Sequence, residues 1–282
     1  MKKITANLIG IYKSYLIGEE KSTATIEKYI RDITAFMLWL GERSLDKTSV
    51  VEYKAYLCDN YKPASVNSAL SSLNSFFAYN DWHDCRVKTL KIQRQIFAKS
   101  ETELTKAEYE KLLNAAKSKN NERLYLLMQT ICSTGIRVSE LRFITAHAVV
   151  TGVAHINCKG KIRQVFLPKA LCKILAKYIK KQKITSGPVF VSRTGKSLDR
   201  SNIWADMKKL CERAGVSKDK VFPHNLRHLF ARTYYSLQKD IVRLADILGH
   251  SSVNTTRIYT METGEEHKKR IEKLGLLGVI DL

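Results

Sequence analysis

Residues 155–167, HINCKGKIRQVFL, decide the fold class. Two short runs, 155–157 and 162–167, are separated by Lys159-Gly160, the pattern of two strands joined by a tight basic turn. On both sides the spacing turns helical. Leu124, Leu127, Met128 and Ile131 recur at threes and fours until Ser133-Thr134-Gly135 interrupts them, and Leu171, Ile174, Leu175, Tyr178 and Ile179 form another such face. PVFV at 188–191 reads as a third strand, and Thr105 with Glu108 three residues on reads as a capping box opening the region. This part of the chain is therefore predicted to be mostly helical, with a small antiparallel sheet on one edge.

The preceding hundred residues read as all-helical. Ile26, Tyr29, Ile30, Ile33, Met37 and Leu40 mark one amphipathic helix, with Ser22 and Thr23 available as caps. A second follows Pro63, with Val66, Ala69, Leu70, Leu73, Phe76 and Phe77 on its apolar face. Its other face carries Ser65, Asn67, Ser68, Ser71, Ser72, Asn74 and Ser75. Side chains that small suit close approach to a phosphate backbone, and equally suit plain solvation. Between the two parts, RVKTLKIQRQIFAKS at 86–100 has five basic residues and no acidic one, which predicts an extended basic linker with Lys88, Lys91 and Arg94 facing a polyanion.

Charge narrows the partner. Lys and Arg outnumber Asp and Glu by 48 to 27 over 282 residues, giving +21. Residues 1–100 carry 15 basic against 10 acidic residues and the remainder 33 against 17, so the net charges are +5 and +16. Nucleic acid is the first candidate for such a surface. No stretch approaches the roughly 18 apolar residues of a membrane span, and MKKITANLIGIYKSYL lacks the apolar run of a secretion signal, so a cytoplasmic protein is expected. The six cysteines have neither CxxC pairs nor zinc-like spacing, which points to no metal, no cofactor and no disulfide framework.

Four stretches carry the chemistry: STGIRVSEL at 133–141, CKGKIR at 158–163, HNLRH at 224–228 and LGHSSVNTTRIY at 248–259. Together they hold Arg137, Lys159, His224, Arg227, His250 and Tyr259. Metal-free transfer of a phosphodiester to a hydroxyl needs its charge neutralised, its nucleophile deprotonated and its leaving oxygen protonated. Two guanidiniums suit the first need, because each planar fork matches two phosphate oxygens. His224 and Arg227, three apart on one helix, share a face. Ile241, Leu244, Ala245 and Leu248 mark a buried helix that Gly249 can end, leaving His250 just beyond it and Tyr259 nine residues further on. A phenol ionises near pH ~10, so Tyr259 needs a base or cations beside it. Taken singly, each of these residues has an ordinary structural reading; their order carries the inference.

That order resembles the tyrosine recombinase family of site-specific recombinases and phage-type integrases. TGIRVSEL, HNLRH, LGHSS and TTRIYT each look like one of the family's boxes, and the likeness covers nearly the whole chain, as in a compact, Xer-like member without an arm-binding domain. The resemblance implies a mainly α architecture: a helical, SAM-like core-binding domain over 1–85, a basic linker over 86–102, a catalytic domain of the DNA breaking-rejoining fold over 103–263, and a tail over 264–282 that docks on a neighbouring protomer. It implies that Arg137 and Arg227 clamp the scissile phosphate and that Tyr259 forms a 3′-phosphotyrosine. Lys159 would protonate the leaving 5′ oxygen, His224 would assist proton transfer and His250 would bond the phosphate. The hairpin departs from the family's GKGxKxR by one missing residue and by Cys158 in place of the first Gly. Lys161 therefore competes with Lys159, which is favoured, and Lys161 and Arg163 are otherwise assigned to DNA binding, with His228 in support.

The implied partners are double-stranded DNA and three further copies of the chain, forming a tetramer on two sites, with accessory DNA-bending or directionality proteins also allowed. The implied task is integration or excision of a mobile element, or Xer-type resolution. A DNA-binding regulator with this fold and a type IB topoisomerase-like enzyme are the alternatives.

Overall fold

The computed structural model describes residues 2–92, 102–158, 161–192, 194–196, 198–261 and 264–274, and of Cys158, Lys161 and 264–266 the backbone alone. The chain divides into two compact units, Met1–Arg94 and Gln95–Leu282.

The first unit contains α1 (Ala6–Gly18), α2 (Thr23–Leu40), α3 (Lys47–Asn60) and α4 (Pro63–Tyr79). Ser22 caps α2, accepting from the Thr25 amide, and Pro63 opens α4 at a position where its missing N–H costs nothing. Tyr12, Ile33, Phe36, Leu70, Phe76 and Phe77 form the fully buried centre. The polar face of α4 is spent mostly inside the protein. Ser72 is buried, donating to Asp32 (2.8 Å) and accepting from Lys28 (3.0 Å), while the Tyr12 hydroxyl donates to Ser75 (2.8 Å).

Asn67 and Asn74 bind the chain that follows. The Asn74 amide donates to the Val87 carbonyl (2.8 Å) and accepts from the Val87 N–H (3.0 Å); Asn67 does the same with Leu90 at 2.9 and 2.7 Å. Seven helical residues rise ~10.5 Å and three extended residues span ~10 Å, so the two amides meet alternate turns of one extended strand in register. The opening of the expected linker is thus a strap on α4, with Val87 buried and Lys88 and Lys91 exposed. Arg94 lies outside the described residues.

The second unit begins with α5 (Lys106–Ser118), whose Thr105/Glu108 capping box is formed, and α6 (Glu122–Thr134). After a 3₁₀ turn at Val138–Phe143 come α7 (Ala146–Thr151), β1 (Val153–Cys158), β2 (Lys161–Phe166) and α8 (Lys169–Lys181). Then follow α9 (Arg200–Ala214), α10 (Pro223–Gln238), α11 (Ile241–Leu248), α12 (Val253–Thr256), a 3₁₀ turn at Arg257–Tyr259, and α13 (Gly264–Glu272). Leu112, Met128, Ile131, Leu175, Met207 and Leu226 are fully enclosed in its core. β1 and β2 are antiparallel, Val153 facing Phe166 and Cys158 facing Lys161.

The expected third strand at 188–191 does not form. Pro188 makes an isolated bridge to Thr145, held by the Val189 and Ala146 N–H groups, and Val189 and Phe190 are buried as a strand's would be. Thr145 is already the N-cap of α7, so the partner segment turns helical at once. Among the described residues no helix is long and apolar enough to cross a membrane.

Replacing Asn74 with Ala removes both ties to Val87 and is expected to cost about 1–3 kcal/mol. Ser71→Ala, whose hydroxyl only returns to the carbonyl of Asn67 on its own helix, is expected to stay within ~0.5 kcal/mol of the parent. Urea unfolding of the full chain compares the two; equal midpoints would show that the strap adds nothing.

Candidate active site

The site is built around two helix ends. α6 stops at Gly135, which takes φ +67° and lies so close to α10 that an added Cβ would stand 2.4 Å from the Phe230 ring. α11 stops at Gly249 with φ +65°. Each stop leaves backbone carbonyls unpaired, at the end of the helix that favours cations.

Arginines take them up. Arg227, on α10, is 1% exposed. It donates to the Gly135 carbonyl (2.6 Å) at the end of α6 and to the Leu248 carbonyl (2.7 Å) at the end of α11. Arg137, on the 3₁₀ turn's N-terminal side, donates to the Gly249 carbonyl (3.2 Å) and to Glu140 (2.9 Å), while its own amide reaches the other oxygen of Glu140 (2.8 Å). Glu140 is 2% exposed and also receives Arg163 from β2 at 2.6 Å. Two guanidiniums, those of Arg137 and Arg163, therefore share one carboxylate, and with Arg227 beside them the cluster keeps an excess of positive charge.

That excess sets the state of the histidines. Burial and the neighbouring guanidiniums of Arg227 and Arg137 push His250 down to about 4. Its Nε2 lies 3.0 Å from Arg227, which can only donate, so Nε2 accepts and Nδ1 carries the proton, donating to Thr256 at 2.8 Å. His228 is pushed to about 4 by burial, with His224 and Arg227 adding to it, and its Nε2 is buried without a hydrogen-bond partner. His224 is lowered too, by burial and then by Arg227, Arg137 and Arg200, and it remains exposed to solvent. Burial and Arg137 bring Arg227 down to about 10, opposed by Tyr259 and Glu140, so it stays charged at neutral pH.

Tyr259 sits among these groups. α12 and the 3₁₀ turn after it carry the phenol back to the end of α11, where it is 4% exposed. Its ring stacks on His250 (centroids 6.0 Å apart) and receives the edge of His228 (4.8 Å). Its phenol lies near enough to Arg227 to favour that guanidinium's charged form. Arg137, His224 and Arg227 line a cavity of about 610 Å³, and Arg137 and His250 line another of about 750 Å³.

The structure thus brings together Arg137, His224, Arg227, His250 and Tyr259, five of the six residues picked out by motif. Lys159, the sixth, lies outside the described residues, as does the side chain of Lys161. Arg163 is a correction. It was expected to meet DNA, but its side chain is 14% exposed and its two terminal nitrogens go to Glu140 and to the Ile247 carbonyl (2.5 Å). Two residues were missed by motif reading: Glu140, whose signal was an acid three residues after Arg137 inside the same box, and Thr256, three before Tyr259. Among the described residues, no three His, Cys, Asp or Glu side chains converge as ligands of a metal ion would.

The sequence profile of the phage integrase family matches residues 102–266, and that of the phage integrase N-terminal SAM-like domain matches residues 9–83. The chain is 30% identical to tyrosine recombinase XerA of Thermococcus kodakarensis over 281 residues, 96% of each chain. It is 28% identical to tyrosine recombinase XerD of Vibrio cholerae, across 87% of this chain and 88% of that one. Among solved structures, a lambda integrase tetramer bound to a Holliday junction superposes with a TM-score of 0.73 at 20% identity, covering 92% of this chain and 78% of the other.

An imidazole kept neutral in the fold gains its proton more readily once unfolded, where it titrates near 6.5. The stability tied to neutral His228 and His250 is therefore complete above about pH 6.5 and is lost as the pH falls from there towards about 4. Thermal midpoints should drop across that interval, and less steeply in His228→Asn; parallel profiles would mean that His228 is not held neutral.

Proposed function

The chain belongs to the phage integrase family of tyrosine recombinases, and from that premise we propose how its own residues cleave and rejoin DNA. Recombinases of this family are site-specific and work without a metal ion. The observation that carries the assignment is the placement of Tyr259, enclosed against Arg227, His228 and His250 at the rim of a cluster with surplus positive charge.

In this reading a DNA phosphate enters between Arg137 and Arg227, whose forks take its non-bridging oxygens. The Tyr259 oxygen attacks phosphorus, the bond from phosphorus to the 5′ oxygen breaks, and a 3′-phosphotyrosine and a free 5′-hydroxyl result. The phenol's proton passes to a neutral imidazole, with His224 at the cavity wall in reach of solvent. Lys159 returns a proton to the 5′ oxygen, with Lys161 as the other candidate. His250, already turned with Nε2 towards Arg227, bonds the phosphate once that nitrogen carries hydrogen. Attack by the 5′-hydroxyl of a second strand reverses these steps and completes strand exchange. Fixed donors on the charge that develops at phosphorus are each worth ~3 kcal/mol or more in rate, by analogy with single oxyanion-hole donors.

The reaction needs two duplexes, and four copies of the chain on two sites is the assembly proposed, supported by the likeness to the lambda integrase tetramer. Lys88 and Lys91, exposed on the strap, are proposed to meet the DNA backbone, with Arg94 beyond them. The tail from residue 264, with Leu274 61% exposed, is proposed to dock on a neighbouring copy. A compact recombinase acting on short sites fits the similarity in length to the Xer relatives. A cytoplasmic location is proposed with it, since the substrate is DNA.

Incubation with a nicked duplex carrying the target site should trap a covalent protein–DNA adduct, undiminished by chelator. Tyr259→Phe should abolish the adduct and leave binding within about twofold. An adduct that persists in Tyr259→Phe would remove this nucleophile, and tight binding with no adduct in the parent chain would favour a regulator.

A further inference from the structure

Arg163 touches three elements at once. It rises from β2 opposite Ile156, two residues beyond the Cys158–Lys161 pair that closes the hairpin. One terminal nitrogen donates to Glu140 at 2.6 Å, on the same oxygen that accepts the Arg137 amide. The other donates to the Ile247 carbonyl at 2.5 Å, near the end of α11. Gly249 is shaped around it: a Cβ there would stand 2.6 Å from the Arg163 Cδ and Nε. The glycine in LGHSS thus both ends α11 and leaves room for this side chain.

We propose that Arg163 is a positioning residue that sets Arg137 through Glu140 while fastening the β-hairpin to the end of α11. The proposal rests on the recombinase reading above. Glu140 holds Arg137 by its backbone amide and by its guanidinium, so the angle of Glu140 is the angle of the clamp. Without Arg163, that carboxylate keeps only partners that belong to Arg137, and the pair is held to the end of α11 by the single 3.2 Å bond from Arg137 to the Gly249 carbonyl. The Ile247 contact lies one turn before His250, so the same side chain keeps Arg137 and His250 in a common frame across one cavity. A phosphate contact would instead need a guanidinium turned outward, and both of its terminal nitrogens are engaged within the protein.

The decisive variant is Arg163→Lys, which keeps a charge that a phosphate would accept but cannot bridge Glu140 and Ile247 with a planar fork. On the nicked duplex at saturating protein, its cleavage rate constant should fall about 10–100-fold, the range for lost outer contacts to a reacting site. The final adduct yield should equal the parent's. Arg163→Gln should leave the slope of log affinity against log salt unchanged. A parent-like rate in Arg163→Lys, with a slope ~0.9 shallower in Arg163→Gln, would make Arg163 a phosphate contact and overturn the proposal. A reduced yield at an unchanged rate would make it a merely structural residue and overturn it too. Absence of adduct in the parent chain is a separate result: it removes the recombinase reading, and this proposal with it.

Discussion

A guanidinium buried to 1% exposure is the constraint on which the site depends. Taking Arg227 out of water is costly unless every polar edge finds a partner, and a carboxylate partner would cancel the charge that a phosphate needs. Backbone carbonyls at the ends of α6 and α11 ease this conflict: they satisfy the two terminal nitrogens without contributing a full negative charge, and Nε alone is left buried without a partner. The cation is solvated by the protein and remains a cation. Burial first, and then its field, keep His224, His228 and His250 neutral, with Arg137 adding to the effect on His224 and His250, which makes them proton acceptors beside a phenol.

The fold exists, in this view, to bring distant segments to those two ends. Gly135 follows α6, Arg227 is on α10, and Leu248 closes α11, so one side chain pins two consecutive helices to a third about ninety residues earlier. Glu140 plays the matching part on the outer side, joining the 3₁₀ turn to the hairpin. Tyr259 needs only the short path through α12 to join them. Because both halves of the clamp rest on the same helix end, Gly249 through Arg137 and Leu248 through Arg227, a shift of α11 moves them together.

Much of this was legible in the sequence. Helical spacing located α2, α4, α6, α8 and α11, and turn chemistry foretold the stop at Gly249 and the antiparallel pairing of β1 with β2. Five of the six residues that the boxes single out lie together in the fold, because their spacing survives in one dimension. The rest was hidden for physical reasons. PVFV has strand composition, but composition cannot reveal that Thr145 would cap a helix and leave Pro188 a single bridge. Asn67 and Asn74 looked like a surface, since an amide that binds backbone 13 or 23 residues away has the same sequence signature as one that binds water. Arg163 looked like a DNA contact for a similar reason: a basic residue beside a basic turn does not announce a buried carboxylate 23 positions earlier.

Main-chain carbonyls have a consequence for how this protein can vary. An oxygen that every amino acid supplies cannot be deleted by a point mutation, so the side chains at 247 and 248 are free to drift under selection for packing alone while still holding Arg163 and Arg227. Vulnerability is displaced onto the two residues with no side chain. At Gly135 and Gly249 any replacement must enter a left-handed backbone region and displace Phe230 or Arg163 as well. The mutational fragility of the clamp is thus concentrated at positions with no side chain to take part in the chemistry.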